Sequence, residues 1–113
     1  MTTAAHASLC ERAADEELIL LLAGSLRAFP LALARTLRRE EEPFDSCHGL
    51  LERLANEGLD RSTAFAVATE LGHGRAAIVM TMRFIIGIPL DQIDDCLRSN
   101  GLTRVERLQL LTG

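Results

Sequence analysis

A chain of 113 residues is the length of one domain and buries roughly two-thirds of the surface it exposes when unfolded, so neither a metal nor a disulfide is required for stability. A net charge of -4 repels nucleic acid and anionic membrane at long range. The apolar 48% is mostly Leu and Ala, with no Trp or Tyr, a palette suited to helix-on-helix packing that leaves no sheet expected.

Residues 1–8 are small and polar and are expected to be disordered, with Ser8 placed to cap a first helix. That helix is expected over about 9–28. Leu18, Leu21, Leu22, Ser25 and Leu26 share one face of it, and Ile19, Leu20 and Ala23 widen the stripe until little polar surface remains, so the helix must be central or paired. Phe29-Pro30 breaks or kinks it, because proline lacks an amide donor and crowds the preceding turn. A second helix follows over about 31–41. Its end, RTLRREEE, mixes the two signs of charge in the manner of a solvated face.

Pro43 stops that helix, and Asp45 lies near the start of a third, whose apolar stripe is Cys47, Leu50, Leu51 and Leu54. Gly58 closes the third helix, and Asp60 caps a fourth whose inward face is Ala64, Phe65, Ala68 and Leu71. After Gly72-His73-Gly74 comes a fifth helix over about 75–86, with AAIVMTMRFII as its body and Arg83 as the single charge in that run. It is the expected centre of the core. Gly87 stops it, Pro89 opens a sixth helix to about Ser99, and Asn100-Gly101 turns the chain into a seventh, capped by Thr103.

The fold expected is therefore all-α: a single domain over 1–113, a compact array of about six to seven short helices. With short gaps, Leu22 aligns with Leu71, Arg35 with Arg83, Leu51 with Leu97, and Gly58-Leu59-Asp60-Arg61 with Gly101-Leu102-Thr103-Arg104. The period admits two degenerate three-helix repeats of the armadillo or HEAT kind. The segment GIPLDQIDDCLRSNGLTRVERLQLL has two readings, a stacking unit or a DNA-reading helix-turn-helix over residues 92–109. Asp91, Asp94 and Asp95 crowd its first helix and leave Arg98, Arg104 and Arg107 as the local cations, which favours stacking.

The run LGHGRAAIVMTMRFIIGIPLDQIDDCL, residues 71–97, resembles segments of an uncharacterised all-helical family of alphaproteobacteria, a domain of unknown function. The shared features are a Gly-bearing start, an apolar helix, Gly-Ile-Pro-Leu, and a helix ending in Leu. The resemblance implies a bacterial cytosolic helical domain and carries over no active-site residue.

Catalytic constellations are not expected. Cys47 and His48 are adjacent and point about 100° apart on a helix, so they cannot work as nucleophile and base on one another. Cys10, Cys47 and Cys96 are odd in number and widely spaced, with no CxxC, which argues for a reducing compartment and against both disulfides and a zinc site that would recruit His48 or His73. Gly72-His73-Gly74 lacks the Lys and the strand of a phosphate-binding loop. MTTAAHASLCER has neither the basic nor the apolar region of a secretory signal, and the 18–26 run is too short for a bilayer span, so a cytoplasmic chain is expected. No cofactor is expected.

These features predict a non-enzymatic protein-protein interaction module that self-associates as a dimer and takes a partner helix, with DNA regulation as the alternative. The candidate interface is Ile78, Val79, Met82, Ile85 and Ile86 of the fifth helix, with Leu18 and Leu22 of the first.

Overall fold

The computed structural model describes residues 8–24, 27–39 and 46–113. Among them every regular element is a helix and no strand occurs, as the composition predicts. Ser25, Leu26, the Glu40, Glu41 and Glu42 run, Pro43 and Asp45 lie outside the described residues, as do His6 and the N-terminal segment 1–7. The chain divides into two units, Met1–Pro43 and Phe44–Gly113.

In the first unit, α1 (Leu9–Leu22) begins at a capping box. The Glu11 N–H donates to Ser8 Oγ at 3.1 Å, and the Glu11 carboxylate accepts from the Ser8 N–H at 3.4 Å, which satisfies two of the amides that a helix start leaves unpaired. The stop comes earlier than Phe29-Pro30. Gly24 takes φ +86° and its N–H donates to Leu21 O, a left-handed residue that a side chain would strain. The second helix, α2 (Ala28–Arg38), starts before the proline rather than after it. Pro30 is its third residue, where an amide has no intrahelical acceptor to lose, so the ring costs the helix nothing.

Glu16 of α1 reaches Arg39 at 3.0 and 3.3 Å and Arg35 at 3.5 Å. The middle of α1 thus lies beside the end of α2, and the pair is antiparallel. Arg35 and Arg39 belong to the run expected to be merely solvated; instead both converge on one carboxylate that is only 9% exposed.

The second unit holds α3 (Cys47–Asn56), α4 (Arg61–Glu70), α5 (Arg75–Met80), which continues directly into a π-helical turn (Thr81–Ile86), then α6 (Leu90–Ser99) and α7 (Arg104–Thr112). Ser46 caps α3, its Oγ accepting from the Gly49 N–H at 3.1 Å. Three of the connections repeat one device. At Gly58, Gly72 and Gly101 the backbone is left-handed, and the next residue's N–H reaches back five residues, Leu59 to Leu54 O, His73 to Ala68 O and Leu102 to Leu97 O. At the first and third of these the residue after that caps the following helix: Asp60 Oδ1 accepts from Thr63 N–H at 2.8 Å, and Thr103 Oγ1 accepts from Glu106 N–H at 3.2 Å.

Leu50, Leu51 and Leu54 of α3, Phe65 and Val67 of α4, Ile78, Val79 and Met82, and Ile93 and Leu97 of α6 form the core of this unit. The five residues from Ala64 to Ala68 are all buried, so α4 is covered around its circumference, more completely than the stripe expected of it. No residue of α7 is buried.

Candidate interaction surface

The π-helical turn decides which apolar side chains reach the surface. In an α-helix, Met82, Ile85 and Ile86 follow Ile78 and Val79 along one face, and these five are the fifth-helix part of the expected interface. Thr81–Ile86 instead bonds with a wider step: the Gly87 N–H donates to Met82 O, five residues back, and past Gly87 at φ +84° the Ile88 N–H closes on the same oxygen at 2.8 Å. The wider turn lets Met82 and Ile88 both point inward and leaves Phe84, Ile85 and Ile86, three successive side chains, outside. Ile78, Val79 and Met82 are therefore buried in the chain's own core and are removed from the candidate interface.

Ile85 and Ile86 keep their place on the surface, joined by Phe84 and Leu90, which the sequence reading missed. Leu18 and Leu22 are exposed too, Leu22 by 82%, on α1 of the other unit. A signal for Phe84 was present in the sequence: Gly87-Ile88-Pro89 supplies a left-handed stop followed by an apolar residue, so Ile88 rather than Ile85 or Ile86 closes the core at this end.

Ile86 also walls an apolar cleft of about 140 Å³, together with Leu51 and Ala55 of α3, Leu59 of the following turn, Ala64 of α4, Met82 and Ile88. Arg61 stands at its rim and donates to the side-chain carbonyl of Gln92. Phe84 is 66% exposed. The Arg83 guanidinium lies 4.8 Å from its ring centroid and donates to Leu111 O at 3.0 Å, which ties the turn to the end of α7.

The potential reactive groups are held in inert settings. Burial raises the Cys47 thiol, opposed by a hydrogen bond with Thr81, and pushes the Cys96 thiol up to about 11, with Asp60 adding to the rise. Cys96 Sγ donates to Arg61 O at 3.4 Å. His48, on the surface of α3, sits 3.6 Å from Glu52. His73 occupies the position after Gly72 in its turn and donates its backbone N–H to Ala68 O. Among the described residues no group of three or more His, Cys, Asp or Glu is placed to hold a metal ion, and no helix is long and apolar enough to cross a membrane.

In the segment read alternatively as a helix-turn-helix, α6 and α7 are joined by a tight turn, but two of its cations are engaged. Arg107 Nε donates to Asp94 Oδ1 at 2.8 Å, and Arg98 Nη2 donates to Asp94 Oδ2 at 3.0 Å. Arg104 makes no ion pair among the described residues. No family model, curated protein or solved structure matches this chain.

Proposed function

We propose that the chain is a non-enzymatic interaction module whose working contact is with a second copy of itself, made by seating Phe84 of each copy in the Leu51–Leu59 cleft of the other. The observation that carries this reading is an exposed aromatic ring, Phe84, on the same helical turn as Ile86, which walls an apolar cleft. A cavity of about 150 Å³ lined by aliphatic side chains accepts a benzene ring, and this cleft, at about 140 Å³, is of that size. In a two-fold contact residue i meets j and j meets i, so a patch bearing both the ring and its receptor is self-complementary.

Charge supports the same occupant. Asp91, next to Leu90, makes no ion pair among the described residues, while the Arg61 guanidinium at the cleft rim is held by a neutral amide. A reciprocal Arg61 to Asp91 pair suits the two-fold arrangement and penalises partners without a matching anion. The helix-turn-helix alternative has less support, because Asp91, Asp94 and Asp95 of α6 would lie beside the phosphates of a duplex read by this segment.

Sedimentation velocity tests the reading. The wild-type chain is expected to sediment as a dimer at tens of micromolar, and Phe84→Asp as a monomer with unchanged helix content, since Phe84 is outside the core. A wild-type chain that stays monomeric at that concentration overturns the proposal.

A further inference from the structure

A second concavity lies between α6 and α7, with a chemistry unlike that of the first. It has a volume of about 260 Å³ and is lined by Asp94, Arg104, Arg107, Leu108 and Leu111. The four α7 residues recur at i, i+3, i+4 and i+7, so all lie on one face of that helix, turned toward Asp94 of α6. Along this face the character changes in order, with two guanidiniums at the start of the helix and two leucines at its end.

Asp94 does not make the site cation-selective. Its two oxygens are occupied, Oδ1 by Arg107 Nε and Oδ2 by Arg98 Nη2. Arg107 is fixed at a second point, Nη1 donating to Leu102 O at 2.9 Å, and its side chain is only 17% exposed. Its Nη2 is uncommitted among the described residues, and Arg104 has no acidic partner there. One carboxylate shared by Arg98 and Arg107, with Asp95 3.8 Å from Arg98 and Arg104 unpaired, leaves a local positive excess in a chain whose overall charge is -4. A held guanidinium loses little side-chain entropy on accepting an anion, and the start of a helix favours negative charge.

We infer that this concavity binds a carboxylate attached to a short aliphatic chain, the carboxylate against Arg104 and Arg107 Nη2 and the chain on Leu108 and Leu111. A bare inorganic anion would leave the leucines uncovered, an alcohol would leave the cations unpaired, and an ammonium would meet them directly. The volume limits the occupant to a molecule, or a chain end, at the small end of ligand sizes. The same chemistry is offered by a free short-chain acid and by the terminal carboxylate of a peptide ending in Leu.

Titration of the labelled full chain, followed by amide NMR, tests the assignment. Hexanoate, and a short peptide acid ending in Leu, are each expected to give saturable shifts at residues 104–111, with dissociation constants of about millimolar order. The tighter of the two identifies the source. Hexanol, hexylammonium and the peptide's C-terminal amide are expected to give none. Arg104→Gln is expected to weaken binding up to about fivefold, as for a single exposed charge, and Leu108→Asp to abolish it. Both positions are exposed, so the folded spectrum should persist. If neither acid gives saturable shifts, if hexanol shifts the same amides as strongly, or if inorganic phosphate binds as well as hexanoate, the inference is overturned.

Discussion

The α3–α4 and α6–α7 hairpins are built on the same turn and held by opposite forces. Gly58-Leu59-Asp60-Arg61 and Gly101-Leu102-Thr103-Arg104 share the left-handed glycine, the backward bond from the leucine amide and the side-chain cap. Yet α4 is enclosed by apolar neighbours, whereas no residue of α7 is fully buried and the helix is fastened by Arg75 to Glu106 at 3.1 Å, Arg83 to Leu111 O, and Arg107 to both Asp94 and Leu102 O. A turn motif sets where a helix starts and which way the chain leaves the previous one. It does not set what the helix rests on; that depends on side chains far off in sequence.

Truncation separates the two modes most sharply. Phe65→Ala empties the middle of α4 and is expected to lower global stability by about 3–5 kcal/mol in denaturant unfolding. Arg107→Ala leaves Asp94 with one of its two partners and is expected to cost about 1–3 kcal/mol, seen chiefly as faster hydrogen exchange in α7 while α4 stays protected. Equal loss of protection in both helices would show that α7 is part of the common core.

The turns should respond alike where the helices do not. Gly58→Ala and Gly101→Ala each force an L side chain into the left-handed region, in space where the added Cβ meets nothing, so the expected cost is the backbone strain alone, about 1–2 kcal/mol at either site. Stability measurements that differ between the two by much more than this would mean that the turns are not equivalent.

Acid titration is the gentlest probe. The hydrogen bonds from Thr63 hold the Asp60 carboxyl below its ordinary 3.8, and those with Thr103, followed by Arg75, hold Glu106 below its ordinary 4.5. A lowered folded-state value means that each cap contributes fully above the ordinary value and is lost as pH falls through the lower one. Fraying at the starts of α4 and α7 should therefore set in as pH falls below the ordinary values, 4.5 for Glu106 and 3.8 for Asp60, and be complete only once each lowered value is passed, as read by amide exchange. Fraying that begins near pH 6 would contradict it.

These comparisons also explain what was legible in the sequence. The caps at Ser8, Asp60 and Thr103 and the stops at Gly58, Gly72, Gly87 and Gly101 were readable because each is satisfied within a few residues. The start of α2 at Ala28 was missed because Pro30 was read as a breaker, when a proline in a first helical turn breaks nothing. Nothing near Glu16 in the sequence singles it out, since its partners Arg35 and Arg39 are on the other helix of the pair. The split of the 78–86 stripe into buried and exposed parts was hidden for a different reason. Simple helical periodicity has no place for the extra residue of a π turn, which the five-residue bond from the Gly87 N–H to Met82 O reveals.

The reciprocal contact around Phe84 is most directly tested by mixing two variants that each lose self-association for a different reason. Phe84→Asp keeps the cleft and lacks the ring; Ala55→Trp keeps the ring and fills the cleft mouth from an exposed position on α3. Each alone should sediment as a monomer at tens of micromolar. Their equimolar mixture should form a heterodimer weaker than the wild type, because one of its two ring-to-cleft contacts is restored. A mixture that remains monomeric, while the wild type dimerises, would contradict the placing of Phe84 in its neighbour's cleft.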